Sequence, residues 1–123
     1  MGLLGTLLGH ATDVTPEETR EDLEGILLPE EAVEVAFKVV RHLFVFTDKR
    51  LILVDKQGLT SRKVDYLVVP YRAITSYSIE TASTLDMDSE LKIWTSGRAE
   101  PIQKTLKRGA NIRGIQAAIA AAL

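Results

Sequence analysis

The chain contains no cysteine. That absence excludes disulfides, thiolate metal ligands and a cysteine nucleophile, and it is compatible with a reducing cytoplasm. Histidine is nearly absent too, and the two present, His10 and His42, lie too far apart to suggest a metal motif. No stretch reaches the roughly 18 consecutive apolar residues of a transmembrane helix. The opening "MGLLGTLLGHATDV" has no Lys or Arg before its apolar stretch, which is also short for a signal peptide core. A cytoplasmic protein without metal or cofactor is the expectation.

Catalytic signatures are missing as well. There is no Gly-x-Ser-x-Gly, no P-loop and no Gly-x-Gly-x-x-Gly, and no local motif suggests a Ser-His-Asp arrangement, so no enzyme is expected. Asp86 and Asp88 stand close together but lack the further oxygen ligands that a calcium loop supplies at fixed spacing, which leaves turn chemistry.

Positive charge is scarce at one end. Residues 13–34 hold nine acids and one base, Arg20, so this segment carries −8, whereas the remainder carries fourteen bases and eight acids, or +6. An acidic segment thus precedes a mildly basic body, suited either to solvent or to docking against basic surface of its own or a neighbouring subunit. The overall acidic balance argues against nucleic acid as a partner.

With 123 residues, the chain fits one domain, 1–123, able to bury roughly two-thirds of its unfolded surface. Residues 1–30 read as helical. Leu3, Leu4, Leu7 and Leu8 follow helical spacing, although interior glycines weaken that helix. Thr15-Pro16-Glu17-Glu18 is a helix start, with Thr at N-cap, Pro at N1 and a glutamate at N3, and Gly25 ends the helix. From residue 32 the period changes to two. "AVEVAFKVVR" places Val33, Val35, Phe37 and Val39 on one side, and further strands follow at 43–47, 50–55, 64–70, 73–80, 90–95 and 101–107. Seven short strands with no room for crossover helices imply an antiparallel barrel or sandwich within residues 32–107. Over 111–123, Asn111 is a plausible N-cap and Ile112, Ile115, Ile119 and Leu123 form a stripe suited to capping the barrel.

Seven strands and a capping helix follow the order of the pleckstrin-homology superfold. Residues 37–94 resemble the bacterial pleckstrin-homology-like family more specifically. The resemblance rests on the hairpin Phe46 to Leu51, the turn Val54 to Gly58, the pair Pro70-Tyr71, Glu80-Thr81 and the strand Glu90 to Trp94. It implies a mainly β, PH-like barrel of seven antiparallel strands in two sheets with a C-terminal capping helix and one or two short N-terminal helices. It also implies self-association into rings or larger symmetric assemblies, and it carries over no catalytic residue. Two departures are the Arg41-His42 pair, where an acid is usual, and Ser61-Arg62 in place of Gly-Lys.

Two functional readings follow. In the first the protein is a non-catalytic interaction module whose main partner is itself, in a ring-like homo-oligomer, with another protein as a further partner. The hairpin "FVFTDKRLILVD" is apolar on both faces, so one face needs a cover. Leu3, Leu4, Leu7 and Leu8, together with Ile52 and Val54, are the candidate contact residues. In the second, Lys38, Arg41, Arg62, Lys63 and Arg72 bind an anionic lipid headgroup or a phosphorylated small ligand. Membrane docking of the leucine face is disfavoured by the acidic segment that follows it. For the turn cations Lys49 and Arg50, the expectation is a solvated hairpin tip with Arg50 pairing across to a carboxylate; the alternative is a surface that meets an acidic partner, for which 13–34 is the nearest candidate.

Overall fold

The computed structural model describes residues 13–40, 42–57, 63–81, 88–108 and 110–123. Five strands, β1 (Asp13–Val14), β2 (Val33–Val39), β3 (His42–Thr47), β4 (Arg50–Gln57) and β5 (Lys63–Pro70), form an antiparallel sheet in chain order. Three more, β6 (Ile74–Glu80), β7 (Ser89–Thr95) and β8 (Ile102–Leu106), form a second. Helix α1 (Pro16–Asp22) precedes the long strands and α2 (Ile112–Ala122) follows them. The seven expected strands are all present. The two-residue β1, which pairs Asp13 with Phe37 and Val14 with Ala36, is an addition too short to show any periodicity.

Local chemistry sets the helix ends as the sequence suggests. Thr15 accepts the Glu18 amide at 3.2 Å with Pro16 in the first turn, and Asn111 accepts the Gly114 amide at 2.9 Å. Beyond α1 the chain reverses at Gly25, whose φ of +87° is readily adopted only by glycine. Along α2 the buried face is Gly114, Ile115, Ala118 and Ile119, while Leu123, expected on the stripe, is 61% exposed.

Both faces of the β3–β4 hairpin are apolar, and both are covered. Val35, Phe37, Val39, Phe44, Phe46, Leu51 and Leu53 point inward to Leu91, Ile93, Ile102 and Leu106 of the second sheet and to Ile115 and Ile119 of α2. Phe37 and Phe46 meet edge-on at 6.2 Å. On the outer face, Ala36, Leu43, Val45, Ile52 and Val54 lie with Leu23, Ile26, Leu27 and Val14. Val33 also joins this outer cluster, because a bulge between Val33 and Val35 breaks the alternation that would have turned it inward.

Ile52 and Val54 are therefore 0% and 3% exposed within the chain itself. Expected at a subunit contact, they are instead beneath the segment that follows α1. Residues 3, 4, 7 and 8 lie outside the described residues. Among the described residues no helix is long and apolar enough to cross a membrane.

Candidate binding surfaces

The β3–β4 turn, Thr47-Asp48-Lys49-Arg50, looks outward in the sequence and is tied inward in the structure. The Arg50 guanidinium meets Glu31 twice, Nε to Oε2 and Nη2 to Oε1, both at 2.9 Å, and also donates to the Ile26 carbonyl at 2.9 Å. Thr47 donates its hydroxyl to Glu31 Oε2 at 2.6 Å, and the Leu28 amide donates to Oε1 at 3.1 Å. The Glu31 carbonyl in turn receives Arg20 from α1. One fully buried carboxylate thus gathers α1, the covering segment and the hairpin tip.

Its protonation follows from those partners. The hydrogen bond from Arg50 pulls the Glu31 carboxyl down to about 2 against the opposing effect of burial, with Thr47 and Leu28 assisting. Glu31 in turn holds the Arg50 guanidinium protonated above its usual range. Asp48 reinforces the same corner, accepting the Ala32 amide at 3.0 Å while its own amide donates to the Ala32 carbonyl at 2.9 Å. Tyr71 closes it from the far side of the hairpin, donating to the Thr47 carbonyl at 2.5 Å. Burial first, then the nearby Glu34, raises the Tyr71 phenol well above its ordinary value. The arrangement is a clamp, and Arg50 is engaged in holding it.

The cations expected to receive an anion are not brought together. Lys38 is exposed on β2, on the outer face opposite Leu43. Lys63 opens β5, opposite Gln57, and Arg72 lies in the single turn of 3-10 helix beyond the other end of that strand. The length of β5 separates these two by roughly 23 Å, and three strand spacings put Lys38 about 14 Å from the line of β5. Arg41 and Arg62 lie outside the described residues.

Other side chains do converge. Between the β2–β3 turn and β8 is a cavity of about 300 Å³ lined by Val40, His42, Phe44, Asp55, Lys104 and Lys107, among others. His42 Nδ1 stands 3.0 Å from Asp55 Oδ1, and Lys107 stands 3.3 Å from Asp88. The sequence alone predicts no ligand contact for the residues of this cavity, although one signal was available. Period two in "IQKTL" places Lys104 on the same side as Ile102 and Leu106. Among the described residues no cluster of three or more His, Asp or Glu could hold a metal ion.

The two sheets, the covered hairpin and the C-terminal helix match a known architecture. The family described as the bacterial PH domain matches residues 2–123. The chain belongs to the bacterial pleckstrin-homology domain family. A pleckstrin-homology domain from Shewanella amazonensis SB2B superposes with a TM-score of 0.84 at 51% identity, over 99% of both chains. A second pleckstrin-homology-domain protein, from Shewanella loihica PV-4, superposes at 0.76 with 49% identity, covering 93% of this chain and 97% of its own. Among curated proteins, YjqA of Bacillus subtilis strain 168 is 50% identical over 122 residues, or 98% of each chain. Bacterial pleckstrin-homology domains share their superfold with domains that generally bind rather than catalyse.

Proposed function

We propose that the protein is a non-catalytic interaction module that assembles with copies of itself into a ring-like homo-oligomer. The observation that carries this reading is the free edge of β5. An apolar row crosses the outer face of the large sheet from Ala36 through Val45 and Ile52 to Val68, in register on adjacent strands. The first three are buried, whereas Val68 is 39% exposed on a strand paired only with β4 among the described residues. Leu28, which ends the covering segment, is 45% exposed. An unpaired edge carrying an apolar side chain invites a further strand or an apolar surface. Its complement on a second copy would be a different patch, and such head-to-tail contacts close into rings.

Anion binding through Lys38, Arg41, Arg62, Lys63 and Arg72 is the weaker reading, because the three described members of that set do not converge. Light scattering coupled to size exclusion tests assembly. The expected mass is a multiple of 13.6 kDa, and a single monomer peak at micromolar concentration overturns the reading. Val68→Asp should shrink the assembly, while Leu123→Asp, at an exposed apolar residue far along the chain from β5, should not.

A further inference from the structure

Another cavity, of about 160 Å³, lies where the end of β5 meets the β7–β8 turn. Its walls differ in chemistry. Leu67, Val69 and Pro70 of β5 and Ile102 of β8 make the apolar side, whereas Thr95, Ser96 and Arg98 supply every polar side chain of the lining. Both sides are fixed in place. The Ser96 amide donates to the Ala73 carbonyl at 2.8 Å, tying the turn to the chain just beyond β5. The Arg98 amide returns to the Thr95 carbonyl at 3.4 Å around Gly97, whose φ is +85°, so that Thr95 and Arg98 flank one tight turn.

Thr95 carries a hydroxyl where the strand pattern calls for none. Ser89, Leu91, Ile93 and Thr95 are the buried alternate positions of β7, which sets Thr95 on the core side of the strand. It is 9% exposed, and its Oγ1 is buried with no hydrogen-bond partner among the described residues. A buried hydroxyl without a partner is costly, and valine would occupy the position without that cost. Arg98 is unmatched as well. Its exposed guanidinium makes no ion pair or hydrogen bond among the described residues.

We propose that this cavity binds a small aliphatic monocarboxylate, its carbon chain against Leu67, Val69 and Ile102 and its carboxylate received by the Thr95 hydroxyl and the Arg98 guanidinium. One unmatched guanidinium suits a single negative charge, and the hydroxyl supplies a further donor to the same carboxylate. The apolar side suits a body with no other polar group. At about 30 Å³ per water-sized group the volume holds roughly five such groups, which sets the ligand at about four or five carbons. The site uses none of Lys38, Lys63 and Arg72. Every group belongs to one chain, so it stands whether or not copies assemble.

The test is a saturation-transfer NMR titration of the full chain with 3-methylbutanoate, which reads the ligand's own protons at any size of assembly. Acetate, butanoate and the neutral 3-methylbutan-1-ol are run beside it. Saturable binding that tightens about fourfold per methylene from acetate to butanoate, and weakens about tenfold or more for the alcohol and for Arg98→Gln, supports the site. Thr95→Val should weaken binding about fivefold while raising the melting temperature, because it removes the unpartnered hydroxyl. Thr95→Ser, which keeps that hydroxyl, should retain binding, and Arg108→Gln, at an exposed arginine beyond β8, should leave it unchanged. Binding that never saturates at millimolar ligand, or an alcohol that binds as well as the acid, overturns the proposal. So does a Thr95→Val chain that melts higher with full affinity, since the hydroxyl is then only a packing defect. Should Thr95→Val fail to fold, Arg98→Gln and the comparison of acid with alcohol decide the matter.

Discussion

Arg50 and Glu31, 19 residues apart in sequence, share two contacts of 2.9 Å beneath the outer wall of the barrel. The cation that the sequence places at an exposed hairpin tip thereby anchors the segment that covers the hairpin. A fully buried carboxylate requires such a partner, since desolvation without one is prohibitive.

Arg50→Met should therefore cost about 3–5 kcal/mol in unfolding free energy, since it leaves Glu31 charged and buried. Adding Glu31→Met should cost much less than a second such loss, because the remaining charge goes with it. Denaturant unfolding of both singles and the double variant measures the coupling. Strictly additive losses would show that the two side chains act separately.

Acid should unfold the protein through the same residue. A carboxyl held at about 2 when folded, against an ordinary value of 4.5, binds fewer protons in the native state than in the unfolded one. Its contribution, on the order of 3 kcal/mol, is complete above about pH 4.5 and drains away as pH falls toward 2. Thermal unfolding followed over that range should show the decline, and Glu31→Gln should flatten it while lowering stability at neutral pH.

Val40 offers a stabilising change. Replacing it with Asn or Gly relieves a valine held at positive φ and should raise stability by about 1 kcal/mol. A lower melting temperature in both variants would mean that the exposed side chain contributes packing that outweighs its strain.

Gly114 is constrained by a close approach rather than by its backbone angles. A β-carbon there would stand 2.8 Å from the Phe37 ring and 2.5 Å from Asn111 Nδ2. Gly114→Ala should therefore destabilise by roughly 1–3 kcal/mol through overpacking, even though alanine favours helix by about 1 kcal/mol. Calorimetry showing a gain would place α2 farther from β2 than the structure does.

Strands and helix ends were legible from the chain alone because their causes are local. Period two marked β2, short runs bounded by turn residues marked β3 to β8 within a residue or two, and Thr15, Gly25 and Asn111 act on amides or turns a few positions away. The motifs of residues 37–94 indicated the family before any fold was in view. The acidic segment was in view only as an alternative partner for the hairpin tip, but Arg50's pairing with a carboxylate was legible. Its identity as Glu31 was not, since six other glutamates and three aspartates lie between residues 13 and 48.

Which apolar face of the hairpin turns inward was also beyond the sequence. With Leu51 and Leu53 on one side and Ile52 and Val54 on the other, alternation is equally satisfied by either choice. Tertiary packing decided it, sending Leu51 and Leu53 to the second sheet and α2 and placing Ile52 and Val54 beneath Leu23 and Ile26. The same holds for the cavity beside the β2–β3 turn, because Lys104 and His42 belong to different sheets and no spacing along the chain reports a meeting between them. Short-range hydrogen bonds and periodicity thus determined the elements. The burial of Glu31 and the cover over the hairpin arose only when those elements competed for the same apolar surface.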